Sequence, residues 1–534
     1  MRRIGIFTAY QPHVKLGQEG IGRLLLYIVK GMLENQDQVT IIAPSWHRKE
    51  VKLLLKEHLL EKTVKVRSMR NHAPILLLIY DLLYRWKNRP RKIRRWSILQ
   101  SLQNICTSVV YSALSSYSFV LFAIQMLILL AVVILLLPLF ILYCFIKALA
   151  GSKIMRKATD ALLSGRLKQY VRFVPRNLRS DALTLGILNT MRTYELKKMV
   201  KFANQSNIEY WYIPSLFWPE TLDIRKKRSL VAPDLVYADF PQLFSQDIVM
   251  NWSCRTIDKI LQSQPKLVCY SHYVAQRQLA DFRDVPPRNI TVIPHGVIDL
   301  SEHLANGLPA NEIIDIYLRN PAWPIPNYDY VKSLHFEQMD YLIYTSQYRY
   351  HKNIPGLLNC FARLLRKERL NLKLVLTCSN YDDLMELVEK LNLTREVIFM
   401  PHVPEHVLAA LNAMARLHVN PSLFEGAFPF TFGEAYSSGT PSVMADIPVS
   451  REIVTDEELR KLMFFDPYNE DSMLERIKWA LTHRDELLAA QQPLFEKIKQ
   501  RSWAEVAEEY VQSMRYSALR KMPKRRRRVW KRTR

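Results

Sequence analysis

The stretch Tyr344-Thr-Ser-Gln-Tyr-Arg349-Tyr-His-Lys352-Asn353 places two cations just past an apolar run that reads as a strand. Cations at the carboxyl edge of a parallel strand sit where α/β folds bind ligands. The Arg349 guanidinium offers a fork to phosphate oxygens, and the Lys352 ammonium offers a point charge. By themselves, two basic residues in a loop are more often simply solvated. A second stretch, Pro421-Ser-Leu-Phe-Glu425-Gly426-Ala427-Phe428-Pro429-Phe-Thr-Phe-Gly433-Glu434-Ala435, ends in Ser438-Gly439-Thr440-Pro441. Two carboxylates here flank a loop that leads into a helix. A helix start offers unpaired N–H groups to a phosphate. One carboxylate can accept hydrogen bonds from sugar hydroxyls, and a second can hold those of a ribose. Taken alone, two glutamates with an intervening Gly, Phe and Pro read equally well as ordinary surface residues.

These loops need elements to carry them. Ile4–Thr8 reads as a buried strand, followed by a helix from about Gly22 to Glu34 and strands at Val39–Ala43 and Val64–Arg67. A helix near Asp181–Asn204 and a strand at Tyr210–Ile213 resume the pattern. Tyr341–Ser346, Leu372–Thr377 and Val397–Met400 read as strands of a second α/β unit, which closes with a helix near Trp503–Tyr516. Strands alternating with helices imply parallel, doubly wound sheets. The fold class is therefore α/β with two Rossmann-like domains. Pro309, Pro321, Pro324 and Pro326 place the linker between them.

Read as a whole, four stretches in chain order resemble the GT-B retaining glycosyltransferases of family 4, the glycosyl transferases group 1. They are Glu19-Gly20-Ile21-Gly22-Arg23, Ile293-Pro-His-Gly-Val297, Arg349-x-x-Lys352-Asn353, and Ser422-Leu-Phe-Glu425-Gly426 through Glu434-Ala435 to Gly439-Thr440-Pro441. The resemblance covers most of residues 1–80 and 181–518. It implies that Gly20 lies where the first βα loop approaches the donor phosphate or the acceptor, with room only for hydrogen. It implies that Arg349 and Lys352 neutralise a departing diphosphate and that Glu425 touches the transferred sugar. The N–H groups of Gly426, Ala427 and Phe428 would lie near sugar and phosphate oxygens, and Glu434 would hold the ribose. Such enzymes need neither metal nor cofactor, since cations and N–H dipoles take the charge. Glu425, Arg349 and Lys352 are the catalytic candidates.

Two departures stand out. The spacing from Glu425 to Glu434 is one residue longer than the family's usual pattern, which predicts a bulged loop. In Val231-Ala-Pro233-Asp234-Leu235, Pro233 stands where the family often has a histidine near the reacting carbon, and His13 is a candidate substitute.

The 534 residues exceed one core, and the net charge of +25 favours a polyanionic partner. The six cysteines form no C-x-x-C, which speaks against a zinc ribbon and for a reducing compartment. The start, with Ile4–Tyr10 as its apolar run, is too short for a secretory signal. Seven basic residues fall between Arg85 and Arg95, and Trp96–Ile146 carries no charge or histidine. Phe119–Ile146 as a helix would reach about 42 Å, more than the ~30 Å of a hydrocarbon core. A buried core helix would show a polar face, and this one does not. Basic flanks on both sides, within one soluble domain, favour a membrane hairpin turning near Ser115–Ser118 over a re-entrant segment. Nine of the last fourteen residues are Lys or Arg, which fits an anionic membrane surface better than nucleic acid, for which no motif is present.

The resulting organisation is a first Rossmann-like domain in two parts, 1–84 and 176–310 (the acceptor side), interrupted by a hydrophobic insertion at 85–175. A linker at 311–338, a donor-binding domain at 339–518 and a polybasic tail at 519–534 follow. The expected activity is retaining transfer of a hexosyl unit from a nucleoside-diphosphate sugar to a membrane-associated, lipid-linked glycan, on the cytoplasmic side of the inner (plasma) membrane. The competing expectation is a catalytically weak sugar-nucleotide-binding or scaffold subunit of a membrane glycan assembly complex.

Overall fold

Short runs such as Tyr210–Ile213 and Leu417–Asn420 are buried at every position, as strands covered on both faces must be. A computed structural model describes residues 1–11, 14–18, 20–71, 73, 179–244, 248–305 and 307–515, together with positions 120, 123, 124 and 127. The first sheet comprises β1 (Arg3–Phe7), β2 (Gln38–Ile42), β3 (Lys65–Arg67), β4 (Tyr210–Ile213), β5 (Lys227–Val231), β6 (Leu267–Cys269) and β7 (Ile290–Val292). Its order is β3-β2-β1-β4-β5-β6-β7. The second comprises β8 (Tyr341–Tyr344), β9 (Lys373–Leu376), β10 (Val397–Phe399), β11 (Leu417–Asn420), β12 (Ser442–Ala445) and β13 (Phe464–Phe465), in the order β10-β9-β8-β11-β12-β13. The pairings that build both sheets are parallel. Each sheet reverses its winding beside its own first strand, between β1 and β4 and between β8 and β11. Doubly wound folds bind ligands at the carboxyl side of that reversal.

Two boundaries differ from the sequence reading. The stretch 311–338 is not a bare linker, because helices Ala310–Arg319 and Tyr328–Lys332 occupy half of it. Ile313, Ile314 and Leu318 are buried with Ile343, Val375 and Leu411 against one face of the second sheet. The prolines mark the edges of these helices, with Pro309 just before the first and Pro321, Pro324 and Pro326 between the two.

The closing helix, Trp503–Arg515, is the second difference. It follows the second domain in sequence but packs in the core of the first, where Val506, Ala507, Tyr510, Val511 and Met514 lie among residues of β1, β4 and helix Gly20–Glu34. An apolar helix face shows that a helix is covered, not which core covers it, so the sequence placed it with its neighbours.

The sequence readings of a membrane insertion at 85–175, its turn at Ser115–Ser118 and the tail at 519–534 lie outside the described residues, as does His13, apart from Val120, Ala123, Ile124 and Leu127, which are helical. Among the described residues no helix is long and apolar enough to cross a membrane.

Helix Gly20–Glu34 meets the returning helix at Gly31, where an added Cβ would overlap the carbonyl of Trp503. Asn35 Nδ2 donates to Ala504 O at 2.7 Å beside it. Gly31→Val should therefore push the helices apart and destabilise the protein by about 1–3 kcal/mol, the usual cost of overpacking. Chemical denaturation of the variant against the wild type checks this, and an unchanged midpoint would show that the crossing is looser than the geometry indicates.

Candidate functional site

The loops at the two reversal strands of the second sheet are tied together. Tyr344 at the end of β8 shares a 2.9 Å hydrogen bond with Ser422 Oγ past β11, and Leu423 N donates to His351 O at 2.8 Å. Tyr350–Lys352 forms a single turn, and Asn353 follows in a left-handed conformation (φ 52°) before helix Ile354–Arg366 begins. Lys352 Nζ then lies 2.5 Å from Glu425 Oε1, with 19% and 16% of the two side chains exposed. Burial works against the Lys352 ammonium, but the adjacent Glu425 carboxylate outweighs it and the pKa is raised.

The first domain closes on this pair from the end of β5. An added Cβ on Gly426 would lie 2.5 Å from Pro233 O and 2.9 Å from Asp234 Cβ, and Ser271 Oγ donates to Gly426 O at 3.0 Å. Burial raises the pKa of the Asp234 carboxyl; Val236 N–H, which donates to it at 3.2 Å, and the Lys352 charge act against this, while Glu425 adds to it. Asp234, Lys352 and Glu425 thus converge from two domains on one region. Pro233 supplies only a carbonyl there.

The region opens into a cavity of about 1720 Å³. That exceeds the roughly 300–1,000 Å³ typical of a single small-molecule site, leaving room for a second reactant. Helix Phe430–Ser437 begins at its wall, so the free N–H groups of Phe430 and Thr431 are placed for an anion. Among the described residues, three buried polar atoms of side chains in the cavity lining have no protein partner: Thr345 Oγ1, Thr431 Oγ1 and Glu434 Oε2. Unpaired buried groups are costly, and a polar ligand would satisfy them.

Of the residues singled out in the sequence, Gly20, Arg349, Lys352, Glu425, Gly426 and Glu434 all line this cavity. Ala427 and Phe428 do not. Ala427 packs against the first core and Phe428 against the second, its ring 5.5 Å from that of Phe432. An added Cβ on Gly20 would meet no protein atom within 4 Å, so any restriction there comes from what enters the cavity. Sequence reasoning missed the partners of Arg23, which are Glu434 and Glu405, and the approach of Asp234. Arg23 and Glu434 lie 411 residues apart, and nothing local in the chain signals the pairing.

Residues 329–493 match the family model described as Glycosyl transferases group 1. The match spans the second sheet and most of the helices around it. It holds Arg349, Lys352, Glu425 and Glu434. A stretch of 150 residues is 31% identical to the O-antigen chain mannosyltransferase B of Escherichia coli, and this match spans 27% of the chain but only 38% of that protein. Among solved structures, the trehalose-6-phosphate phosphatase N-terminal domain of Candida albicans aligns over 97% of both chains, at a TM-score of 0.55 and 10% identity. WaaG, a glycosyltransferase involved in lipopolysaccharide biosynthesis, aligns over 95% of this chain and 98% of its own (TM-score 0.52, 12% identity). Anabaena Alr3699/HepE in complex with UDP aligns over 97% and 100% (TM-score 0.51, 11% identity). These structural likenesses concern the fold alone, two Rossmann-like domains in the GT-B manner.

One motif residue works at the seam between the domains. The His295 ring lies 3.9 Å (centroid to centroid) from Phe430 and 6.4 Å from Trp503, and its Nδ1 hydrogen-bonds Gly296 O at 2.9 Å. Burial pushes its pKa down from 6.5 to about 4, with hydrogen bonds to backbone opposing. Because the folded value lies below the unfolded one, the unfolded chain takes up the proton first as pH falls. Stability is thus undiminished above pH 6.5 and declines towards pH 4, by about 1.4 kcal/mol per unit for this histidine. His295→Phe should flatten the decline by that amount, read from denaturation midpoints at pH 7, 6, 5 and 4. Parallel curves for the two proteins would mean that the ring is protonated in the folded state.

Proposed function

We propose that the protein is a retaining glycosyltransferase that moves a hexosyl unit from a nucleoside-diphosphate sugar to a membrane-associated, lipid-linked glycan. The observation that carries this reading is the convergence of Lys352, Glu425 and a helix start on a cavity at the winding reversals of both sheets. In this reading Lys352, Arg349 and the N–H groups of Phe430 and Thr431 receive the diphosphate. Glu425 accepts hydroxyls of the transferred sugar, and Glu434 Oε2 accepts those of the ribose. The acceptor hydroxyl attacks the anomeric carbon on the face the diphosphate leaves. The bond from that carbon to the phosphate oxygen breaks, a bond to the acceptor oxygen forms, and the departing phosphate oxygen takes the acceptor's proton. Configuration is retained without a protein nucleophile, and Glu425, held by Lys352, is positioned to orient rather than to attack. The cations and N–H dipoles do the work a metal would do elsewhere.

The acceptor assignment draws on the apolar, basic-flanked insertion and on the tail. Val120, Ile124 and Leu127, helical and spaced to share one face, are 65%, 50% and 65% exposed. An exposed apolar stripe of this kind suits lipid. The name of the Escherichia coli relative, an O-antigen chain mannosyltransferase, supports a polysaccharide product. The inner (plasma) membrane, with both domains on its cytoplasmic face, is the corresponding location. Pro233 favours a second reading, a catalytically weak donor-binding or scaffold subunit of a membrane glycan assembly complex.

Release of nucleoside diphosphate from a panel of donor sugars separates the two readings. The wild type should turn over one donor, and Glu425→Ala should lose it. Lys352→Ala and Arg349→Ala should each lower turnover by about 10²-fold or more, the loss seen when one donor to developing charge is removed. Chelator should leave the rate intact. A wild type that binds a donor without release supports the scaffold reading, and unchanged rates in both cation variants would place the diphosphate elsewhere.

A hairpin insertion puts Asn88 and Lys157 on the cytoplasmic side and Ser116 on the other. Membrane-impermeant labelling of single cysteines at these positions, introduced with the native cysteines replaced, should modify only Ser116→Cys in intact cells. Labelling of none of the three in intact cells would mark the insertion as re-entrant or surface-lying.

A further inference from the structure

Arg23 leaves the first turn of helix Gly20–Glu34 in the first domain and ends between two carboxylates of the second. Its Nη1 lies 2.6 Å from Glu434 Oε1, and its Nη2 and Nε lie 3.0 and 3.2 Å from Glu405 Oε1. His303 Nε2 stands 3.6 Å from the other Glu405 oxygen. A cation at a helix start opposes the helix dipole, so it is the two carboxylates that favour the placement. The base of the side chain is also fixed, because an added Cβ on nearby Gly22 would overlap Leu16 O, seating the helix start against the turn before it.

The more consequential partner is Glu434, 1% exposed. One of its oxygens is taken by Arg23, and the other, Oε2, is buried without a partner among the described residues, in a side chain that belongs to the cavity lining. Burial raises the pKa of this carboxyl and Arg23 opposes the rise. With Arg23 in place, Oε2 is the acceptor left over for a ligand. Without it, the carboxyl would lose both the one side-chain anchor it has among the described residues and its counter-charge.

We propose that Arg23 is a positioning residue of the donor site, which spans the cleft to hold Glu434 with Oε2 turned to the vicinal hydroxyls of the nucleotide's ribose. This rests on the reading of Glu434 as the ribose carboxylate. Ribose recognition then depends on the first domain as well as the second, and a donor is fully recognised only with the two domains apposed.

Calorimetry on the full-length protein tests this with UDP, GDP and ADP, each against its 2′,3′-dideoxy counterpart, and with inorganic pyrophosphate. The wild type should prefer the best-bound nucleotide over its dideoxy form by about tenfold or more, the worth of a hydrogen bond to a charged group. Glu434→Gln should erase that preference. If the preference survives in Glu434→Gln, the ribose reading fails and this inference with it. Arg23→Met should also erase it although Glu434 is intact, Arg23→Lys should restore part of it, and pyrophosphate should bind all variants alike. A preference that persists in Arg23→Met while Glu434→Gln has lost it overturns the role of Arg23 alone. A loss of pyrophosphate affinity equal to the loss for the nucleotide overturns it too, since Arg23 would then be supporting the whole cleft. If Arg23→Met does not fold, Glu405→Gln frees one side of Arg23 and should give an intermediate preference; a wild-type preference there, together with one in Arg23→Lys, counts against the proposal.

Discussion

The cleft depends on the chain crossing back at its end. Helix Trp503–Arg515 is reached only after the second domain is complete, yet its apolar face is buried in the first. Trp503 sits at the crossing, donating from Nε1 to Val297 O at 3.0 Å and stacking on Tyr27 at 5.1 Å. Arg501 donates to Pro294 O at 2.9 Å and pairs with Glu509. The two domains are therefore joined by a second strap in addition to the segment after Val297. A cavity shared by two domains keeps its shape only if their apposition is fixed, and side chains that meet across it are useful only at that spacing.

With the apposition fixed, the charges in the cleft can be understood as pairs arranged for a guest. Lys352 is matched by Glu425, and Arg23 by Glu434 and Glu405, so the cleft is not left with bare desolvated ions. Burial and these partners pull in opposite directions. The pKa of Glu405, which has both Arg23 and His303 beside it, is lowered to about 2 despite its burial, whereas that of Glu434, almost fully buried and paired on one oxygen, is raised. His351, pushed down to about 4 by burial first and then by Lys352, adds no cation near neutrality. The positive charge available to a phosphate is thereby concentrated at the loop after β8 and at the start of helix Phe430–Ser437.

The sequence was most legible where chemistry is local in the chain. Lys352 follows within one short loop the apolar run of β8, which announces itself, whereas β11 before Glu425, Leu-His-Val-Asn, was not legible as a strand. β4 was visible for the same reason as β8, its four residues being apolar and wholly buried. Strands such as β5, which opens with Lys227-Arg228, and β7, three residues long, offer too little periodicity to stand out. Relations between distant segments left no trace. The Arg23–Glu434 pair, the approach of Asp234 to Gly426 and the docking of Trp503–Arg515 in the first core each join stretches more than 190 residues apart. A single sequence reports propensity and spacing along the chain, and these contacts are properties of the closed tertiary structure.

The loop between Glu425 and Glu434 touches both domains. Gly426 lies against Pro233 and Asp234, Ala427 packs on the first core, Phe428 packs on the second, and Pro429 stands at the head of the helix. Gly426 and Ala427 are thus fastened to the first domain and Phe428 to the second. Glu425, one residue before this stitching, is held from both sides, by Lys352 of its own domain and through Gly426 by the first. A loop fastened to only one domain would let the carboxylate drift whenever the domains moved. Here the sugar-facing carboxylate and the domain contact occupy adjacent positions on one backbone, so a change in apposition large enough to part Gly426 from Pro233 also displaces Glu425. The loop therefore couples closure of the cleft to the placement of the group that would meet the transferred sugar.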